Sequence, residues 1–191
     1  HAPFKPPFPY SHRFLDSKFR YKSIFEADHE NMKKYLDSRK EPGEDLMDIK
    51  TSLYDGSISY LDSRLESLYS RIKEDYPNTV FIFTSDHGEY LYEHERVNHL
   101  VGLHQEVTHV PLIEVFPDGS EEVVEGPVEL RQMREHLNDL AEGGSQTIKT
   151  MDYAVSEDYG GENFPAFRNL DLTDEDRKRH SRYSASAVNQ D

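Results

Sequence analysis

The sequence contains no cysteine and no tryptophan. Without cysteine there is no disulfide, no thiolate nucleophile and no thiolate-ligated metal, a usage that suits a cytoplasmic protein without requiring one. Long apolar runs are also missing. None approaches the roughly 20 residues that cross a bilayer as a helix, and no basic-plus-apolar leader opens the chain. Basic charge is scarce: 22 Lys and Arg stand against 37 Asp and Glu, a formal net charge of −15. So acidic a surface repels nucleic acid phosphates and anionic membranes, and no nucleic acid partner is expected. It keeps a protein soluble, and it also suits a high-salt setting where self-repulsion is screened. Both a cytoplasmic and a secreted location fit.

What is present is enough for one substantial core, a domain plus an appendage, in 191 residues. Aromatic residues at 12% are too many for a disordered chain. The opening stretch from His1 to Phe14 is dense in proline and aromatics, which predicts an ordered extended segment rather than a helix. From Asp45 to about Tyr76, the apolar residues Ile58, Leu61, Leu65, Leu68 and Ile72 recur at helical spacing, and Pro77-Asn78 ends the pattern. Val80 to Phe83 is a continuous β-forming run, expected of a strand covered on both faces in a parallel sheet. Gly88 to Gln105 reads as a loop with helical turns. Val110 to Phe116 predicts a second strand, Pro127 to Leu140 a helix presenting Leu130, Met133, Leu137 and Leu140, and Asp152 to Ser156 a short strand. Beyond Asp158 the chain is polar, and its charged run from Asp174 to Arg179 predicts a solvated surface helix. This order predicts an α/β domain with helices on both faces of a sheet, whose ligands gather beyond the carboxyl ends of the strands.

Asp86, His87 and Gly88 stand at such an end. A carboxylate next to an imidazole offers oxygen and nitrogen donors for a hard or borderline cation, and glycine lets the backbone turn sharply. The same tripeptide alone reads equally well as a helix cap followed by a loop histidine.

The wider context separates the two readings. The stretch from Thr84 to Glu89 (TSDHGE), Glu93-His94, His99, His104-Gln105-Glu106 and His109-Val110-Pro111-Leu112-Ile113 resembles, in order and spacing, the C-terminal signature of the sulfatase family within the alkaline phosphatase-like superfamily. His1 to Tyr10 (HAPFKPPFPY) resembles the family's His-x-Pro segment, and Tyr54 to Asp62 the helix that precedes the metal strand. The resemblance runs from His1 to about Leu140 and more loosely to Val188. It implies a three-layer α/β/α sandwich of the alkaline phosphatase type, present in part. Residues 1–157 correspond to the C-terminal part of the catalytic domain and residues 158–191 to a polar, partly irregular continuation.

The resemblance also implies chemistry. Asp86 and His87 bind a divalent metal, calcium in most members, with manganese or zinc compatible with the same donors. His1 and His99 are the catalytic histidines, His1 helping the leaving oxygen and His99 contacting the sulfate or phosphate oxyanion. The substrate is a small-molecule or carbohydrate sulfate ester. The family nucleophile is a formylglycine made in a Cys/Ser-x-Pro-x-Arg motif. This sequence has no cysteine and no such motif, so the expectation is a fragment, inactive alone, of a longer enzyme. His94, His104 and His109 are expected to support the site, Glu89 to be a capping or surface acid, and Asp62 a buried or capping acceptor on its helix. His12, His29, His136 and His180 are expected at the surface. Two rivals remain at this point. One is a phosphodiesterase, phosphonate monoester hydrolase or phosphoglycerol transferase of the same superfamily. The other is a non-catalytic acidic binding domain.

Overall fold

The structure is a computed structural model and describes residues 4–19, 44–99, 102–144, 147–158, 173–174 and 184–189. The expected surface helix from Asp174 to Arg179, and His1, His29 and His180, lie wholly or mostly outside them.

The longest element is helix α2 (Glu44–Asp75), preceded by the one-turn helix α1 (Tyr10–Arg13). Strands follow in the order β1 (Phe81–Thr84), β2 (Tyr90–Leu91), β3 (Val97–Asn98) and, after the short helix α3 (Gln105–Thr108), β4 (Leu112–Val115). Helix α4 (Met133–Ala141) and strands β5 (Tyr153–Asp158) and β6 (Ser184–Asn189) complete the described chain.

The core forms where the proline-rich segment meets the start of α2. Phe4, Leu15, Phe19, Ile49 and Leu53 are buried together, with Leu46 and Tyr54 packed against them. Each such side chain contributes about 1.5–3 kcal/mol by leaving water. Proline density does not exclude a helix here: Tyr10–Arg13 makes one turn directly after Pro9, where the missing amide hydrogens of the prolines are not needed. Tyr10 donates from its hydroxyl to Ser63 Oγ at 3.0 Å and Arg13 to Ser59 Oγ at 2.7 Å, which lays α1 along α2. Gly56 permits this approach, because a Cβ there would strike the Tyr10 carbonyl oxygen.

The apolar stripe of α2 is covered over only part of its length. Ile49 and Leu53 are buried, whereas Ile58, Leu61 and Leu68 are half-exposed. The segment around Phe4 reaches only the first turns, and farther along the helix Tyr60 packs on Tyr10 at 5.3 Å and Tyr69 on Phe81 at 4.6 Å between ring centroids. Asp62, expected as a buried or capping acceptor, is exposed.

The strand at Phe81–Thr84 forms where the β-rich run predicts it, with a different partner geometry. It pairs antiparallel with β4, Phe81 opposite Val115 and Thr84 opposite Leu112, and is half-buried rather than covered on both faces. The β2–β3 and β5–β6 pairs are also antiparallel. Among the described residues the sheets are therefore three two-stranded antiparallel ladders, not one parallel sheet between helix layers. A mixture of helix and small sheets is what the α/β expectation retains.

Helix α4 also differs from its apolar pattern. Its buried residue is His136, and Leu130 and Leu137 are exposed. The His136 Nε2–H donates to Glu114 Oε1 on β4 at 2.7 Å, so a polar contact sets the face that α4 turns inward. Its entry turn is fixed by Glu129 and Gln132, whose side chains and backbone cap each other reciprocally. Glu129 also accepts from the Val155 amide of β5 at 2.8 Å. Among the described residues no helix is long and apolar enough to cross a membrane.

Candidate active site

The turn after β1 carries the candidate chemistry. Ser85 Oγ donates to the His87 carbonyl at 2.7 Å, and the His87 amide donates to Asp86 Oδ1 at 3.1 Å, so the tripeptide folds back on itself. The Gly88 and Glu89 amides then donate to the Val107 and Glu106 carbonyls at 2.7 and 2.8 Å. These two bonds clamp the turn to α3. Gly88 is required there, since a Cβ would meet the Glu106 carbonyl oxygen.

His87 is oriented by its own chain. A carbonyl only accepts, so the 2.8 Å contact with the Gly88 oxygen puts a hydrogen on His87 Nδ1. In the neutral ring Nε2 then carries the lone pair, the tautomer that metal-binding histidines commonly adopt when a carbonyl holds the other nitrogen. Nε2 lies 3.8 Å from Asp86 Oδ2. Two donors sharing one cation at about 2.0–2.5 Å each can stand this far apart, so Asp86 and His87 fit a divalent metal as they stand. Asp86 is 84% exposed. The charge of His87, foremost, holds its carboxyl below the usual carboxylate range.

His99 joins this group from the turn after β3. Its ring stacks on that of His87 with centroids 3.8 Å apart, and its Nδ1 lies 3.1 Å from Glu89 Oε2. Glu89 is not the surface acid that its place in the sequence suggests. It is 5% exposed and lies 3.7 Å from the ammonium of Lys50, itself 4% exposed on α2. The Lys50 ammonium also sits 5.7 Å from the centre of the Phe4 ring. His87, Glu89 and His99 each bring one ligand atom to within 4.8 Å of the others, so they too can hold a metal ion.

The remaining histidines of the stretch form a second stack. His94 and His104 lie with ring centroids 3.8 Å apart and planes 11° off parallel. His94 Nε2 is 3.3 Å from Glu106 Oε1, and the buried Tyr90 hydroxyl is 2.8 Å from His104 Nδ1. His94 and Tyr92 hold positive φ angles of 56° and 105°, which lets this loop turn back over Tyr90. Burial, foremost, lowers the proton affinity of His104 and raises the pKa of the Tyr90 phenol. His109 is exposed, and His12 bonds to Ser11 Oγ at 2.9 Å, away from this region in sequence.

Of the four residues expected to carry chemistry, the described structure brings Asp86, His87 and His99 to one place; His1 lies outside the described residues. Lys50 and Glu89 are the two members that sequence reasoning missed. Glu89 stands two positions after His87 in non-helical backbone, a spacing that can return a side chain to the same side. Lys50 sits beside Ile49 in the most buried part of α2, where an unpaired lysine is rare.

The Sulfatase family model matches residues 1–143 of this chain. Comparison with curated proteins finds no match.

Proposed function

The chain belongs to the sulfatase family, and from that premise we propose that it supplies part of the metal and substrate site of a sulfuric ester hydrolase. The observation that carries this reading is the placing of Asp86 and His87 donors 3.8 Å apart with the His99 ring stacked alongside. A divalent metal, calcium by family preference and manganese or zinc by donor type, would be held by Asp86 and His87. When bound it supplies Lewis-acid neutralisation of the ester oxygens. His87 presents Nε2 because Gly88 holds its Nδ1–H. His99 is the oxyanion contact, donating as an imidazolium toward charge that develops on the sulfuryl group. His1 is proposed to assist departure of the alcohol oxygen. The nucleophile, formylglycine in the family, is not encoded in residues 1–191, which hold no cysteine and no Ser-x-Pro-x-Arg.

The substrate class proposed, from the family, is a small-molecule or carbohydrate sulfate ester. The test is turnover of nitrophenyl sulfate against a nitrophenyl phosphonate ester, using the longest reading frame that contains this chain. Preference for the sulfate supports the proposal. Preference for the phosphonate moves the protein to the phosphoester branch, which a histidine rather than a lysine at position 99 also suits. Neither activity, together with no metal binding, would make the chain a non-catalytic domain.

A further inference from the structure

We propose that Glu89, held by Lys50, is the positioning residue for His99, fixing its tautomer and ring orientation toward the substrate. The inference rests on the sulfatase reading for its purpose, though not for its geometry. A carboxylate oxygen accepts and does not donate, so the 3.1 Å contact requires the hydrogen on His99 Nδ1. That leaves Nε2 as the nitrogen turned to a ligand, an acceptor in the neutral ring and a donor to the oxyanion once it carries a proton. Neutral imidazole in water favours the other tautomer, with the hydrogen on Nε2, so a specific partner is needed to reverse the preference.

The same carboxylate falls among the residues that can hold a metal, and the two roles exclude each other. Its environment favours positioning. Oε2 is engaged by His99, and Oε1, buried and without a hydrogen-bond partner among the described residues, faces the Lys50 ammonium at 3.7 Å. A cation placed on Oε1 would meet a buried positive charge, where repulsion is weakly screened. Asp86, by contrast, stands in the open beside His87, with no lysine or arginine paired to it among the described residues. The donors therefore divide by charge environment: Asp86 and His87 toward the metal, Glu89 toward His99. Lys50 and Phe4 make the carboxylate's seat rigid, since the ammonium is itself fixed over the ring of a core residue. A positioned imidazole gains over a free one because its orientation is set before the substrate arrives.

The test is the long-range proton–nitrogen NMR spectrum of the histidine-labelled chain at about pH 9, where an ordinary imidazole is neutral. His99 is assigned by the signal that disappears in His99→Gln. The hydrogen is expected on Nδ1 in the wild-type chain and on Nε2 in Glu89→Leu. A hydrogen on Nε2 of His99 in the wild-type chain overturns the proposal, whether or not any variant folds. In the longest reading frame, Glu89→Gln is expected to lower kcat for nitrophenyl sulfate by about 10- to 100-fold. KM and manganese affinity should change less than twofold. Loss of manganese binding in Glu89→Gln as large as in His87→Ala would make Glu89 a ligand and overturn the positioning role. If the wild-type protein turns over no sulfate ester, the functional reading fails while the tautomer result stands or falls on its own.

Discussion

Lys50 on α2 and Glu89 after β1 form a buried ion pair at 3.7 Å, both side chains almost wholly removed from water. The pair is a tie between the core at Phe4 and the turn that carries Asp86 and His87. Removing one partner takes a close opposite charge from the other in a buried setting, which costs up to about 3–5 kcal/mol, whereas replacing both by apolar side chains of similar size is often nearly neutral. Lys50→Met and Glu89→Leu are each expected to lower the unfolding free energy by that amount. The double variant is expected to recover most of the loss. Denaturant unfolding of the three variants provides the cycle, and strictly additive losses would show that the two charges do not interact.

His136 and Glu114 are a second buried polar pair, far from the candidate site in sequence, at 2.7 Å. His136→Ala leaves the Glu114 carboxylate without its donor, an outcome that costs about 1–3 kcal/mol. The loss is read from the denaturation midpoint at unchanged slope. His136→Leu, an apolar replacement that also strands Glu114, is expected to be no better. Recovery by Leu would mean that packing volume, not the hydrogen bond, seats α4.

Gly88→Ala drives a methyl group toward the Glu106 carbonyl oxygen, which the Glu89 amide already uses at 2.8 Å. Forcing the extra carbon in costs about 1–3 kcal/mol in a packed site. The amide protons of Gly88 and Glu89 should also exchange faster, because their bonds to Val107 and Glu106 must lengthen. Unchanged exchange at both would show that the turn is not clamped to α3 in this way.

Acid should destabilise the chain in two stages. Burial, foremost, with His94 and Arg96 adding to it, holds His104 below its ordinary value of 6.5. As pH falls below about 6.5 the unfolded chain binds a proton there that the folded chain does not, so stability is lost on acidification. Glu106 acts lower down. Its own backbone amide, foremost, holds it below 4.5. That contribution is complete above 4.5 and is lost as pH falls through the folded value. His104→Gln is expected to remove the first stage of the melting-temperature decline and to leave the second. A first stage that persists unchanged in His104→Gln would assign it to another group.

The legible parts of the fold are those where local pattern and local chemistry agree. Helix α2 and the strand at Phe81–Thr84 follow from periodicity and β propensity, and the turn at Asp86-His87-Gly88 follows from the glycine. Pairing partners were not legible. A greasy four-residue run fits a parallel or an antiparallel ladder equally, and only the long-range contact with Leu112–Val115 decides. The burial of His136 in place of Leu137 has the same cause, since Glu114 lies on another strand. In the candidate site, the proximity of Asp86, His87 and His99 was expected because family motifs mark them. Glu89 and Lys50 were not, because their meaning lies in each other, across the gap between α2 and the turn after β1.

The central claim is that Asp86 and His87 carry the metal of a sulfuric ester hydrolase. The most direct measurement is turnover of nitrophenyl sulfate by the longest reading frame containing the chain, wild type against Asp86→Ala, with calcium or manganese supplied. The account predicts a metal-dependent activity in the wild type and a loss of about 100-fold or more in Asp86→Ala. Activity of the same size in both proteins would contradict it.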